Sequence, residues 1–217
     1  MVAEGVFSTG SLSSYCTVDD VFNVLRGYDL EPYGGRAGLE ERVEELLVVS
    51  RSAVDRYARR DFFRHHEATV VMDGSGTDRQ LLTELGIAPP ANVHEVRISG
   101  ETLGAEEWCA YGDQGLVRLT ASASLSTFPV GVQNVEMLLD WGFEAPPGEV
   151  VYAQAKIAAA ELLGELGGEA GGVTNTRIGD YTVSYASEGK YAGAVAPLIE
   201  EAKDALGRYR VVRMRAV

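Results

Sequence analysis

Apolar residues recur every three or four positions in four parts of the chain, which predicts four helices. The first covers 17–27 and opens with the capping sequence T-V-D-D. The second starts at Leu39, with glutamates near its beginning and arginines near its end, an order that suits the helix dipole. The third follows a Pro-Pro pair and runs through the alanine-rich segment 150–166, and the last covers about 194–209.

Between the second and third predicted helices, the apolar positions alternate with polar ones, which is the pattern of half-buried strands. Glycine, proline or aspartate separates the short β-prone segments from one another. These segments are 68–72, 80–82, 93–98, 108–111, 116–119 and 132–141. We therefore expect a small antiparallel β unit inserted between helices.

A further alternating stretch, 171–191, lies between the third and last helices. The pair Gly179-Asp180 gives a turn signal, so the stretch predicts a two-stranded arm. A ribbon of two strands is marginally stable alone in water, so it needs a surface to pack on. The pattern leaves open whether this surface belongs to its own chain or to a second copy. The candidate contact residues of the arm are Val173, Ile178, Tyr181, Val183 and Tyr185.

These elements predict an α+β fold: a small helical bundle of about four helices with an inserted antiparallel β unit and a projecting β-hairpin arm. We divide the chain into a loose leader (1–15), a helical core (16–64 and 145–210, with the arm at 171–191), an inserted β unit (65–144) and a C-terminal tail (211–217).

The chain has a formal charge of −13, and its excess of acids lies in the middle. Residues 61–150 contain 14 acids and 4 bases, whereas 1–60 contain 10 and 7, and 151–217 contain 8 and 8. Duplex-DNA binding needs a broad basic surface, because phosphate neutralisation supplies much of the affinity, so this class is disfavoured. Only Lys203–Val217 is strongly basic, with five bases and one acid, which favours a protein partner.

The two cysteines, Cys16 and Cys109, are far apart in sequence and fit neither a metal-ligand spacing nor a disulfide framework. The sequence lacks the basic start and apolar run of a secretory signal, and it lacks an apolar stretch of about 18 residues. We expect a soluble protein that does not interact with a membrane.

One polar cluster could form the site of a small metal-dependent enzyme: Asp61, His65, His66 and Glu67. Adjacent histidines point to opposite sides of a strand, however, and no further ligand at helical spacing supports them. The glycine run D-G-S-G-T-D at 73–78 lacks the lysine of a phosphate-binding loop and is typical of a β-turn. We therefore assign no catalytic residue, metal or cofactor, and keep the metal enzyme as an alternative.

A basic cluster at the end of the second helix supports another alternative, a nucleic-acid-binding module. Arginines at the end of an amphipathic helix are more typical of a solvated or interface surface. The cluster consists of Arg56, Arg59, Arg60 and Arg64, interleaved with Tyr57, Phe62 and Phe63.

The order of these parts resembles the head-tail connector family, the adaptor or head-completion proteins of long-tailed bacteriophages and related tailed viruses. The resemblance covers about residues 15–210. It depends on the following segments in sequence: T-V-D-D-V, the helix L-E-E-R-V-E-E-L-L-V-V-S-R-S-A-V-D-R-Y-A-R-R, D-G-S-G-T-D, P-P-G-E-V-V-Y-A-Q-A-K, R-I-G-D-Y-T-V-S-Y and a last helix ending near Tyr209. The long β insertion, with its small-residue loop at 121–127, departs from the family pattern.

The resemblance implies a non-enzymatic virion protein in the neck of the particle, assembled in the host cytoplasm. Such proteins commonly form a homo-oligomeric ring of twelve copies beneath the portal protein, and the ring also contacts a head-completion or tail-proximal neck protein. Genomic DNA passes through the ring without specific binding. The resemblance also implies that the arm packs on an adjacent subunit and that the basic tail contacts the portal, through Arg208, Arg210, Arg213 and Arg215.

Overall fold

The computed structural model of the chain describes residues 14–85, 87, 91–168 and 171–210. It divides into a helical unit, formed by the described residues up to Ala58 together with Pro147–Tyr209, and a β unit, Arg59–Pro146. Four α-helices and antiparallel sheets confirm the predicted α+β class. None of the described helices combines the length and the apolar character that a membrane crossing requires.

The regular elements follow one another in an order close to the predicted one. In chain order they are α1 (Val18–Val24), α2 (Gly35–Ala58), β1 (His65–Gly74), β2 (Arg79–Leu81), β3 (Ala91–Ile98), β4 (Glu101–Thr102), β5 (Trp108–Tyr111), β6 (Leu116–Leu119), β7 (Gly131–Trp141), α3 (Gly148–Leu166), β8 (Val173–Ile178), β9 (Tyr181–Ala186) and α4 (Ala192–Leu206). Short 3-10 helices occur at Leu25–Gly27, Glu31–Tyr33, Leu82–Leu85, Gly112–Gln114 and Gly207–Tyr209.

The starts of α1 and α2 show what the sequence could predict locally. Thr17 and Asp20 form the predicted capping box, because the Thr17 side chain accepts from the Asp20 amide and the Asp20 carboxylate accepts from the Thr17 amide. α2 begins at Gly35, four residues before the predicted start at Leu39. Gly34, at φ 86°, makes the left-handed turn that allows the chain to enter this helix.

α3 lies at the centre of the helical unit and is buried on almost every side. It packs against α1, α2, α4 and β9. Its alanines at 153, 155, 158, 159 and 160 are all buried. Small side chains at these positions allow neighbouring helices to approach closely, which explains how one helix can contact three others.

The β unit contains two antiparallel sheets around one core. The larger sheet has the strand order β1-β7-β3-β4, and the smaller sheet has the order β2-β6-β5. Strand β7 pairs with both β1 and β3, so it forms the middle of the larger sheet. The core includes Val96, Val117, Phe128, Val135 and Met137.

We expected the hairpin of β8 and β9 to project from the helical unit. Instead, one of its faces packs on α3 and α4. Gly164 of α3 makes the close approach possible. A Cβ built at this glycine would lie 3.3 Å from the Ser184 carbonyl oxygen and 3.4 Å from the Tyr185 Cβ. The surface that the ribbon needs is therefore supplied, on this face, by its own chain.

Candidate functional site

The five predicted arm residues have three different environments. Ile178 and Val183 are only 1% and 0% exposed, so their side chains are already covered within the helical unit. Tyr181 and Tyr185 are half-buried on the same face, whereas Val173 is 75% exposed. Alternation along the strands produces this division, since neighbouring residues of a strand point to opposite faces. Of the five apolar candidates, only Val173 is left largely uncovered.

The outer face of the hairpin is polar. It carries the exposed residues Asn175, Arg177, Thr182 and Ser184, and the Ser184 hydroxyl donates to the Asn175 side-chain oxygen at 2.7 Å. These residues lie opposite one another on the two strands, Asn175 opposite Ser184 and Arg177 opposite Thr182. A second molecule would therefore meet hydrogen-bonding groups and one cation on this face.

A partly buried polar contact fixes the tip of the hairpin to α3. The Tyr181 hydroxyl donates to the Glu161 carboxylate. Burial raises the pKa of Glu161 above its ordinary value, although the hydrogen bond from Tyr181 opposes this effect. Burial also raises the pKa of Tyr181, and the Glu161 carboxylate raises it further. The protonated tyrosine therefore acts as a hydrogen-bond donor at every physiological pH.

A buried side chain of α3, Gln154, helps to anchor the segment before α1. Its side-chain oxygen accepts from the amides of Tyr15 and Cys16 at 2.8 and 3.1 Å. Its side-chain nitrogen donates to the Ser14 hydroxyl at 2.7 Å and to the Leu47 carbonyl at 2.8 Å. Ser14 and Tyr15, which we assigned to the loose leader, therefore belong to the ordered helical unit; residues 1–13 lie outside the described residues.

The C-terminal segment is held at the start of α3. Arg208 forms an ion pair with Glu149, and the Tyr209 hydroxyl donates to the same carboxylate at 3.0 Å. These contacts keep the pKa of Glu149 below its ordinary value, together with its own backbone amide, which contributes most. Of the other proposed portal contacts, Arg210 is the last described residue, and Arg213 and Arg215 lie outside the described residues.

An open groove of about 670 Å³ lies in the helical unit, between α1, α3 and α4. Its lining combines apolar residues such as Val151 and Leu198 with an ion pair between Lys156 and Glu201. The Lys156 ammonium also lies 4.5 Å from the centre of the Tyr152 ring. Because Lys156 already has a carboxylate and an aromatic ring as partners, it is not a free cation that would select an anion in this groove.

The structure brings two of the four residues of the metal-enzyme alternative into contact but does not bring the four together at one point. His65 contacts the Asp61 carboxylate at 2.9 Å and stacks on Trp141, whereas His66 lies 3.9 Å from Asp140. No group of three His, Cys, Asp or Glu side chains that could hold a metal ion occurs among residues 14–85, 87, 91–168 and 171–210. The site that we considered from the sequence is therefore not assembled in the described chain.

Asp140 instead connects three strands of the larger sheet. Its carboxylate accepts from the Glu67 amide at 2.7 Å and contacts His94 at 3.1 Å and Arg64 at 3.3 Å. The Glu67 amide contributes most to lowering the pKa of Asp140. Glu67 has φ 48°, and both it and His94 lie where the strand register shifts beside β7. No pattern in the sequence indicates these bulges, so the role of Asp140 was not predicted.

The basic cluster of the nucleic-acid alternative is partly engaged within the β unit. Arg60 is buried, with its guanidinium 5.1 Å from the Phe62 ring and 5.0 Å from the Phe143 ring. Arg64 contacts Asp140 and donates to the Gly142 carbonyl at 3.3 Å. Arg56, in the helical unit, is exposed. Packing of two of these arginines in their own unit reduces the basic surface that nucleic acid could contact.

The comparisons with known proteins found likeness in structure only. No family model matches the sequence, and no curated protein matches it. A chain in the virion of a native gene transfer agent particle is 18% identical, with a TM-score of 0.52 and alignment over 100% of this chain and 99% of that chain. A chain in the neck of an empty particle of this kind, computed with C6 symmetry, is 16% identical, with a TM-score of 0.51 and the same coverage.

A third chain, in the neck of the native particle computed with C12 symmetry, is 17% identical over 94% of this chain and 97% of that chain, with a TM-score of 0.48. Sequence identities of 16–18% support a likeness in fold alone. The fold of this chain is thus shared, over its whole length, with a chain of the gene transfer agent virion, in agreement with the resemblance to head-tail connectors drawn from the sequence.

Proposed function

We propose that this protein is a structural component of a phage-like particle: a head-tail adaptor that forms a homo-oligomeric ring in the neck, between the portal and the tail-proximal neck proteins. The observation that carries the proposal is the fold likeness to chains of the gene transfer agent virion and its neck, which extends over 100% of this chain. A match over the full length includes the β unit, which was the main departure from the connector pattern.

The symmetry of the neck structure supports a ring. That neck was computed with C6 symmetry, so its components repeat around an axis. A ring of twelve copies, the number that the family resemblance implies, is compatible with a sixfold axis. A closed ring requires two different complementary surfaces on every copy, because each interface is heterologous.

The charge of the chain fits a channel that DNA passes through. The chain has 32 acids and 19 bases, and an acidic wall repels phosphate instead of retaining it. We therefore propose that the ring lines the DNA exit channel without specific binding. In this role no step requires a catalytic residue or a cofactor, and we propose that the protein is not an enzyme.

The hairpin remains our proposed inter-subunit arm, but only some of the five predicted residues are now proposed to contact a neighbouring copy. Ile178 and Val183 hold the hairpin on its own helices, and Tyr181 fixes its tip through Glu161. Val173 and the polar outer face are then the groups that a neighbouring copy would contact. The tail arginines, from Arg208 onward, remain the proposed portal contacts.

Removal of the protein from particle-producing cells tests this function. We expect DNA-filled heads and separate tails to accumulate, and we expect the full chain supplied in trans to restore joined particles, counted by electron microscopy. Joined particles at the normal frequency in the absence of the protein would refute a neck role.

A further inference from the structure

The smaller sheet of the β unit presents an ordered outer face that nothing in the described part of the chain covers. Register places Arg79, Arg118 and Cys109 in one row across the three strands, and Leu81, Leu116 and Tyr111 in the next row. Directly paired residues share a face of the sheet. All six side chains are exposed except that of Leu116, which is half-buried.

The large side chains of the apolar row are unusually exposed to solvent. Leu81 and Tyr111 are each 42% exposed. A cavity of about 380 Å³ opens beside Leu81 and Leu116 and is lined further by Ser75, Thr77 and Arg79. Adjacent exposed apolar side chains with a concave surface next to them mark a contact site for another protein.

The basic row carries an uncompensated positive charge. Arg118 contacts the Asp78 carboxylate at 2.7 Å, and Arg79 lies 3.7 Å from the same carboxylate. Arg118 is the main cause of the lowered pKa of Asp78. Two guanidiniums therefore share one carboxylate, and the row favours an acidic partner.

The exposed face of α2 carries acidic residues followed by apolar ones, which complements the basic row and the apolar row of the sheet. Glu41, Glu44 and Glu45 are exposed in the first half of this helix, and they are followed by Val48 and Val49, each 43% exposed. Arg42 pairs with Glu45 and also with Glu165 of α3. Within the described residues, Glu41 and Glu44 take part in no ion pair, so this half of the helix is acidic.

The two faces agree in spacing as well as in chemistry. The basic and apolar rows are two residues apart along each strand, which is about 6.6 Å. Glu44 and Val48 are four residues apart along the helix, which is about 6 Å. A helix lying along the strands would therefore place its glutamates over the arginine row and its valines over the apolar row at the same time.

We propose that the α2 face (Glu41, Glu44, Glu45, Val48 and Val49) of one copy docks on the outer face of the β2-β6-β5 sheet of the next copy. The inference rests on the proposed ring and names a contact within it. Each copy has one helix face and one sheet face, so every copy can bind one neighbour through its helix face and another through its sheet face. Two different surfaces on one chain that are complementary to each other are what a closed heterologous ring requires.

Substitutions that reverse the charge of one face or of both faces test this contact. They are made in particle-producing cells that lack the chromosomal gene for the protein. Arg118→Glu reverses the sheet face, and the double change Glu41→Arg with Glu44→Arg reverses the helix face. We expect each variant alone to yield joined particles at least about tenfold less often than the wild type, because a like-charge pair recurs at every subunit contact. We expect the two reversals combined in one chain to restore joining.

Co-expression of the two reversed variants gives a second, independent readout. Every interface of an alternating ring then pairs opposite charges, so we expect joined particles to return although neither variant works alone. Arg97→Glu, on the larger sheet, and Glu200→Arg with Asp204→Arg, on α4, make matched charge changes elsewhere on exposed surfaces and should leave joining unchanged. Thermal unfolding of each purified variant checks that it folds.

The outcomes separate the contact from the function. If loss of the whole protein abolishes joining, yet the folded single-face variants join heads and tails as well as the wild type, the proposed contact is wrong and the neck role stands. If the single-face variants fail and neither the combined chain nor co-expression restores joining, the pairing of these two faces is also wrong. If loss of the whole protein has no effect, the neck role itself fails, and the contact fails with it.

Discussion

Replacement of Gln154 by leucine tests how the chain before α1 is fixed to the helical unit. The side chain of Gln154 is 0% exposed, and its oxygen is the acceptor for the Tyr15 and Cys16 amides. Leucine has a similar volume but cannot accept, so the Tyr15 amide loses its buried acceptor and the Cys16 amide keeps only the Ser14 hydroxyl, at 3.3 Å. Each unsatisfied buried donor costs about 1–3 kcal/mol, and added apolar burial offsets part of this loss. We expect the free energy of unfolding to fall by about 3 kcal/mol.

Urea unfolding followed by circular dichroism measures this change, and native-state hydrogen exchange locates it. We expect the Tyr15 and Cys16 amides to lose most of their protection while amides of the β unit are unaffected. Gln114→Leu is the matched control, because Gln114 is exposed and its replacement should change stability by less than about 0.5 kcal/mol. A loss below about 1 kcal/mol for Gln154→Leu would refute the anchoring role.

Three further outcomes follow from buried groups. Glu161→Gln should raise the free energy of unfolding at pH 7 relative to the wild type, and this gain should vanish near pH 4. The reason is that the pKa of Glu161 is raised in the folded state, so the wild-type side chain stabilises the fold at low pH and loses this contribution as the pH rises. Equal free energies of unfolding for the two proteins across this pH range, measured by denaturant titration, would contradict this. Gly142→Ala should destabilise the β unit by more than about 2 kcal/mol, since a Cβ would lie 1.9 Å from the Phe63 carbonyl oxygen and φ is 92°; an unchanged melting temperature would disprove it. Val183→Ala should cost about 2 kcal/mol and Val173→Ala almost nothing, as their exposures differ; similar costs in urea titrations would be evidence against the observed seating of the hairpin.

The alternation of apolar and polar residues predicted the order of the elements well, because secondary structure period is a local property. The change from helical to strand period correctly located the β unit after α2, and T-V-D-D correctly located the start of α1. The start of α2 was predicted too late. Residues 35–38 carry no apolar stripe of their own, and the helix there is set by the turn at Gly34.

The sequence could not predict where the hairpin packs, because alternation along the strands shows that one face is covered but does not identify the surface that covers it. Gly164 permits the close approach, and Glu161 receives the Tyr181 hydroxyl. Neither residue is distinguishable by pattern from the rest of α3. Alternation did predict that one face of the ribbon would be buried, and only the identity of the covering surface remained open.

The surfaces of the β unit were missed for a similar reason. Rows such as Arg79, Arg118 and Cys109 form only when strands distant in sequence come into register. The bulges that direct Glu67 and His94 toward Asp140 likewise depend on pairing with β7. The glutamates near the start of α2 were interpreted from the sequence only as favourable to the helix dipole, so the sequence did not predict that they belong to an interface.

Electron cryo-microscopy of the intact particle can show both the proposed neck position and the proposed contact between copies. We expect repeated density for this fold in the neck, arranged around the particle axis between the portal and the tail, with α2 of one copy on the β2-β6-β5 sheet of the next. A neck reconstructed at side-chain detail without density for this chain would contradict the account.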